Sequence, residues 1–324
     1  MTTTEPIITT HDLAVGYQTK AEPHVLFDGL NLSLYRGQLV CFMGPNGIGK
    51  STLLRTLMGT HKPLGGTVAG VDPKQVAVVL TDRVSNAMMT VKDLVTYGRY
   101  PYLDWSIKLT TSDQEAIASA VNQVGIAHLM HHRIDQLSDG QLQMVMIAKA
   151  LAQETPALLL DEPTAHLDLN NRVEIMNLLK KLAHQHNRAL LVTTHELDLA
   201  LQTADLIWLA NNQKSIVTGI PEDLVLQNAF DDVFRFKGFD LKSGKVIHDA
   251  YRKTSIKVTG NGHAFLWTKN ALERNGYITS DESQDLSIEV KDMNPIAWEI
   301  EMNGTKQIVQ SIAALLFEVE NRMP

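Results

Sequence analysis

The chain has 324 residues, 44% hydrophobic and 20% charged, with a formal net charge of −7. That length suits one large domain of roughly 200 to 250 residues plus a small one, and no apolar run approaches the roughly 20 residues needed to cross a bilayer. The acidic balance without a long basic run argues against nucleic acid as a partner, while a single cysteine and no secretory segment at the amino end point to a reducing cytoplasm.

The first element that carries chemistry is a strand. Gln38 to Met43 is a short apolar run, with Cys41 as one of its buried residues, and it leads into Gly44-Pro45-Asn46-Gly47-Ile48-Gly49-Lys50-Ser51-Thr52. That is a complete phosphate-loop pattern, and the helix it needs follows as Leu53 to Met58. Glycines 44, 47 and 49 let main-chain N–H groups turn inward around a β-phosphate, and the helix N-terminus adds its positive dipole end. Lys50 is expected to reach the β- and γ-phosphates, Ser51 to ligate magnesium, and Thr52 to support the loop. The succession of strand, loop and helix weighs against an ordinary glycine-rich turn.

A second strand spans Val76 to Leu80, and a turn between helices follows near Thr90 to Pro101. Next come Leu137-Ser138-Asp139-Gly140-Gln141 and a helix with Met144, Ile147, Ala148 and Leu151 on one face; Ser138 is its expected cap. The strand Ala157 to Leu160 ends in Asp161-Glu162-Pro163-Thr164. This places two carboxylates at the carboxyl end of a parallel strand, the edge where α/β sheets bind ligands. Asp161 suits magnesium, directly or through water, and Glu162 is the candidate to orient and polarise an attacking water. A further apolar strand, Ala189 to Thr194, delivers His195. The remaining histidines, His61 and His184 among them, read as surface residues. The run His128 to His132 has no added carboxylate or cysteine partner and is not read as a metal site.

After about residue 250 the pattern becomes strand, helix, strand, strand, helix. Ile256 to Val258 is a short strand, and His263 to Asn275 a helix closed by Gly276. Leu286, Ile288 and Val290 alternate, as do Trp298, Ile300 and Met302, predicting two half-buried strands. A final helix carries the apolar stripe Ile308, Ile312, Leu315, Leu316 and Val319.

Leu137 to Gln141 resembles the Leu-Ser-Gly-Gly-Gln signature of the ATP-binding cassette family, and the resemblance covers roughly residues 5 to 245. It implies an α/β fold: an ABC-type P-loop NTPase core of mixed sheet plus helical subdomain, followed here by a small C-terminal α+β domain. The boundaries are then 1–250 for the ATPase domain, with a helical subdomain at about 85–150, and 251–324 for an accessory domain of dimerisation or regulatory role. In that family the signature of one copy closes over the ATP held by another. The resemblance therefore assigns ATP contacts to Ser138, Gly140, Gln141 and the phosphate loop; Asp139 stands where the family has Gly, and because its carboxylate would repel phosphate it is expected to point outward. Asp168, within Ala165-His166-Leu167-Asp168, matches the loop through which paired copies sense each other. His195 matches the γ-phosphate switch, and Tyr17 the ring that stacks on adenine. Where most members carry a glutamine after the second strand, this chain has Thr81, so a weakened version of that magnesium-linked role falls to Thr81 or Asp82.

Thr90 to Pro101, with its Gly-Arg-x-Pro element, resembles the importer branch serving iron-siderophore, haem and cobalamin permeases. The implied activity is hydrolysis of ATP with Mg2+, coupled to import through a separate membrane permease, by a dimer at the cytoplasmic face of the inner membrane. The alternatives are a soluble cassette protein, which usually carries two cassettes, a coiled coil or an insertion, and a low-turnover nucleotide switch, against which Glu162 speaks.

Overall fold

The computed structural model describes residues 5–20, 22–70, 75–80, 88–103, 108–234, 239–241, 245–246, 248, 250–280, 286–291, 295–302 and 304–322. They fall into two compact units, Met1–Arg235 and Phe236–Pro324.

The first unit opens with β1 (Pro6–Tyr17), β2 (His24–Leu30) and β3 (Ser33–Tyr35). β4 (Leu39–Met43) has all five residues buried, as a strand covered on both faces must. It runs through the glycine loop into α1 (Lys50–Leu57), and β5 (Gly65–Ala69) then returns to pair with β1, giving a four-stranded antiparallel sheet among the described residues. The chain continues through β6 (Val76–Val79), α2 (Val91–Thr96), α3 (Thr111–Val124), α4 (Asp139–Leu151), β7 (Ala157–Asp161), α5 (Leu169–Gln185) and β8 (Ala189–Thr193). It closes with α6 (Leu197–Thr203), β9 (Leu206–Ala210), β10 (Ile216–Gly219), α7 (Pro221–Leu226) and α8 (Ala229–Phe234).

Six of these strands form a second sheet in the order β10-β9-β4-β8-β7-β6, parallel except for β10. β4 therefore lies centrally, and β4, β8 and β7 end side by side: Phe42 pairs with Thr193, and Thr193 with Asp161. Phe27, Phe42, Leu53, Leu54, Leu57 and Trp208 pack in one core cluster that joins both sheets to α1. Each such burial contributes about 1.5 to 3 kcal/mol. Cys41 is fully buried in the middle of β4, and burial, followed by the Asp205 charge, pushes its thiol up to about 12.

Side chains close the N-termini of α2, α3, α4 and α5. Thr90 and Asp93, Thr110 and Asp113, and Ser138 and Gln141 make reciprocal capping boxes, and Asp168 accepts the Asn171 N–H. Such caps are worth about 1 kcal/mol apiece.

The Gly-Arg-x-Pro element is a 3-10 turn, Tyr97–Tyr102, whose arginine ties the helices together. Arg99, only 6% exposed, donates to Asp113 of α3 at 2.8 Å, and to the Ala152 carbonyl and Glu154 beyond α4, each also at 2.8 Å. Its guanidinium sits 4.4 Å from the Tyr102 ring centroid, a cation–π contact. A Cβ on Gly98 would lie 2.2 Å from the Lys149 carbonyl oxygen, so only glycine allows this approach to α4.

In the second unit, β11 (Phe239–Asp240) and β12 (Lys245–Val246) form a short ribbon. Beyond it, β13 (Ser255–Thr259), α9 (Gly262–Arg274), β14 (Ile278–Ser280), β15 (Ser287–Lys291), β16 (Ala297–Met302), β17 (Thr305–Val309) and α10 (Ile312–Arg322) build a sheet ordered β14-β13-β15-β16-β17. Ile256, Val258, Ile288, Val290, Trp298 and Ile300 point to a common core with Leu272, Leu315 and Val319. The Trp298 indole N–H donates to Thr268 at 2.7 Å. The outer face carries a charge ladder in which Glu299 accepts from Lys291 and Lys306, each at 2.6 Å. These bonds hold its carboxyl at about 2.

Two expectations for this unit need correction. Ile308 belongs to the edge strand β17 and is 60% exposed, so the final helix starts at Ile312 and its stripe lacks that residue. Besides the short β11–β12 ribbon, the five-stranded sheet holds two strands that the sequence pattern does not show, β14 and β17. The first is three residues long, and the second alternates too weakly to show a buried face.

Candidate functional site

At the carboxyl edge of the parallel sheet lies a cleft of about 500 Å³, lined by Tyr17, His24, Leu26, Asn46, Gly47, Gly49, Lys50, Ser51, Thr52, Glu162 and His195. Nine of those eleven are residues the sequence singles out; His24 and Leu26 are additions from β2. The strand order explains the gathering, because β4 delivers the glycine loop, β7 delivers Glu162, and the residues after β8 deliver His195.

The glycine loop is held by its own contacts. Lys50, 6% exposed, donates to the carbonyls of Gly44 at 2.9 Å and Pro45 at 3.2 Å, and the Ile48 N–H returns to Pro45. Gly49 precedes the helix at φ 113°, a conformation that side-chain-bearing residues avoid. In contrast to α2 through α5, α1 has no side-chain cap. The orphan N–H groups of its first turn therefore remain open to an anionic ligand, which the helix dipole favours. Burial pushes the Lys50 ammonium pKa down, and the carboxylates of Glu162 and Asp161 oppose that shift.

Ser51 sits beside the acidic strand end, its hydroxyl 3.4 Å from Asp161 Oδ1. The same carboxylate oxygen accepts the Thr193 hydroxyl at 2.6 Å. Glu162 adopts φ 48°, in the left-handed region, and its Oε1 lies 2.6 Å from His195 Nε2. A hydroxyl and a carboxylate side by side form an all-oxygen donor set, the kind a hard divalent cation takes.

Tyr17 closes the far side of the cleft. Its hydroxyl bonds Thr52 Oγ1 at 2.7 Å, and its ring and that of His61 meet in a T-shaped contact with centroids 5.1 Å apart. His61 in turn contacts the Gly16 carbonyl at 2.7 Å. His61 is thus half-buried where the sequence suggested a surface residue, whereas His184 is exposed as expected and bonds Asp205 at 2.8 Å. Among the described residues no group of three or more His, Cys, Asp or Glu could hold a metal ion.

Ser138, Gly140 and Gln141 lie at the N-terminus of α4 and Asp168 at that of α5, and these four do not line the cleft. Asp139 is exposed in this chain. Ser138 Oγ accepts the Gln141 N–H, so its own proton stays available to a ligand. Thr81 and Asp82 lie outside the described residues. The sequence places Thr193 in a strand and His61 at the surface but shows neither one's part in the site, because neither falls in a recognisable pattern. The parallel register that sets Thr193 beside Asp161 is the signal that would have exposed the first.

A glycine loop between a central strand and a helix, with an acidic strand end one strand further along the same parallel sheet, defines a P-loop nucleotide-hydrolysing protein. Comparison with known proteins refines this. The family model for ABC transporters matches residues 27–165, and the one for the iron ABC transporter C-terminal domain matches residues 252–320. An uncharacterized ABC transporter ATP-binding protein of Methanocaldococcus jannaschii is 39% identical over 242 residues, covering 71% of this chain and 82% of that one. The achromobactin transport ATP-binding protein of Dickeya dadantii is 34% identical, covering 70% and 87%. Among solved structures, an inward-facing ABC transporter described as of metal-chelate type aligns with a TM-score of 0.65 at 29% identity, covering 71% of this chain and 90% of that chain. The chain belongs to the ATP-binding subunits of ABC transporters, which are ATPases. Among the described residues, no helix is long and apolar enough to cross a membrane.

Proposed function

We propose that this chain hydrolyses ATP to ADP and phosphate to power uptake of a metal chelate of the iron-siderophore, haem or cobalamin type through a separate membrane permease. Support for the cargo class comes from relatives named for achromobactin transport, petrobactin import, iron(3+)-hydroxamate import and cobalamin import. A family model for iron transporters across residues 252–320 adds to it.

The observation that carries the chemistry is the convergence of Lys50, Ser51, Glu162 and His195 on one cleft whose helix is uncapped. In this reading the main-chain amides of residues 44 to 52 cradle the β-phosphate, and Lys50 leaves its loop carbonyls for the β- and γ-phosphates. The base lies on the Tyr17 ring. Ser51 and Asp161 would hold Mg2+, which when bound neutralises charge on the phosphates. Glu162 orients and polarises the attacking water, and His195, resting on that carboxylate, contacts the terminal phosphate. Ser138, Gly140, Gln141 and Asp168 act on the nucleotide of a second copy, which fits their position away from this cleft. The working particle is then a dimer with two composite sites, attached to the cytoplasmic face of the membrane by its permease.

The accessory domain, residues 251–324, serves dimerisation or regulation in this reading, and deleting residues 253–324 is expected to leave ATP binding intact. Glu162→Gln should abolish Mg2+-dependent ATPase activity while retaining nucleotide binding. Equal turnover in the variant would remove Glu162 from the mechanism. Purification from membranes should bring down a polytopic membrane protein, and its identity names the cargo.

A further inference from the structure

Thr193 is 0% exposed at the carboxyl end of β8, in parallel register with Asp161. A hydroxyl buried this deeply needs partners, and it has two. Its proton goes to Asp161 Oδ1 at 2.6 Å, and its oxygen accepts the Glu162 N–H at 2.9 Å. That N–H is shared with the Thr193 carbonyl at 3.1 Å, a three-centre bond on a residue whose φ of 48° is disfavoured without outside support. The Glu162 side chain leaves this fixed backbone and reaches His195 at 2.6 Å.

The strand itself does not call for a hydroxyl. Ala189, Leu190, Leu191 and Val192, which precede Thr193 in β8, are all fully buried, and valine would match threonine in shape and in strand preference. What threonine adds is one group bonded to both neighbouring acidic residues: to the carboxylate of the first and to the main chain of the second.

We propose that Thr193 is a positioning residue for ATP hydrolysis, its hydroxyl locking the Asp161 carboxylate and the Glu162 backbone into one mutual geometry. This rests on the roles proposed above for those two acids. Without the hydroxyl, Asp161 Oδ1 loses the 2.6 Å bond that fixes it beside Ser51, and Glu162 loses one of the two bonds that hold its backbone. A displacement of about 1 Å at a reacting group can cost roughly a hundredfold in rate.

The test compares Thr193→Val, Thr193→Ser and Glu162→Gln in the full chain. It reads kcat and KM for ATP and, separately, the Mg2+ concentration that half-saturates binding of a fluorescent non-hydrolysable ATP analogue. For Thr193→Val, kcat is expected to fall about 10- to 100-fold with KM within about twofold and the Mg2+ requirement raised several-fold, while Thr193→Ser stays within about threefold of the parent. A Thr193→Val protein with the parent's kcat would overturn the proposal. So would a Thr193→Ser protein that falls as far, since the loss would then follow shape and not the hydroxyl. Should Thr193→Val not fold, Thr193→Ala is read against Thr193→Ser by the same criteria. If Glu162→Gln turns over ATP like the parent, the underlying reading fails and takes the proposal with it. An inactive Glu162→Gln beside a fully active Thr193→Val removes Thr193 alone.

Discussion

Arg99 and Lys50 are both 6% exposed, both follow glycine-bearing segments, and both stand in stretches the sequence marks as motifs. Their surroundings differ. Arg99 donates to two carboxylates and a carbonyl and lies against an aromatic ring. Lys50 donates to two carbonyls of its own loop and pairs with no carboxylate among the described residues. The first cation is committed to holding α3 and the end of α4, and the second is held back, at a cost in burial that a phosphate would offset. Motif character alone does not separate the two; what each cation is bonded to does.

Lys50→Met should sharpen this contrast most. Removing a charge-stabilising donor costs about 10²- to 10³-fold in kcat, so ATPase activity should fall by that order while denaturant unfolding shifts little. Arg99→Met should do the reverse: unfolding free energy drops by about 3 kcal/mol, because the buried Asp113 loses its counter-charge and keeps only the Thr110 bonds, and folded molecules keep their turnover. An Arg99 variant of full stability and poor turnover would erase the distinction.

A smaller effect concerns acid. The Thr110 capping bonds, followed by Arg99, hold the Asp113 carboxyl at about 2, below its ordinary 3.8. A lowered folded-state value means that the stabilisation is fully present above pH 3.8 and is lost as pH falls toward about 2. Thermal melts across that window should show a steeper slope in the parent chain than in Asp113→Asn, which keeps only the part due to Glu299 and other depressed carboxylates. The mildest prediction tests Tyr17's support: losing the His61 ring contact should weaken ATP binding by about 0.5 to 1.5 kcal/mol in His61→Ala, read by titration calorimetry, with kcat unaltered.

The phosphate loop and the acidic strand were legible in the sequence because their chemistry is local. Closely spaced glycines, one lysine and two adjacent carboxylates leave a contiguous trace, and their apolar strands are unambiguous. Thr193 was not legible, since a threonine ending an apolar run looks like strand filler until the sheet order sets it beside Asp161. Arg99 was readable as part of an element but not as a clamp, for its partners lie 14, 53 and 55 residues away. In the second unit, the alternation of Ile288 and Val290 with Trp298 and Ile300 gave the inner strands correctly. The edge strand β17 has only one buried residue, Val309, in a run of five, and its exposed Ile308 joined the helical stripe by accident of spacing.

The burial of Cys41 has a practical corollary. The chain's one sulfhydryl lies inside the central strand with its ionisation pushed up to about 12, and the thiolate is the form that reacts with maleimides and oxidants. Cys41 is therefore expected not to react with such reagents while the chain is folded. A cysteine engineered on the surface can carry a spectroscopic label or report proximity between two copies by cross-linking, with no need to delete the native one first.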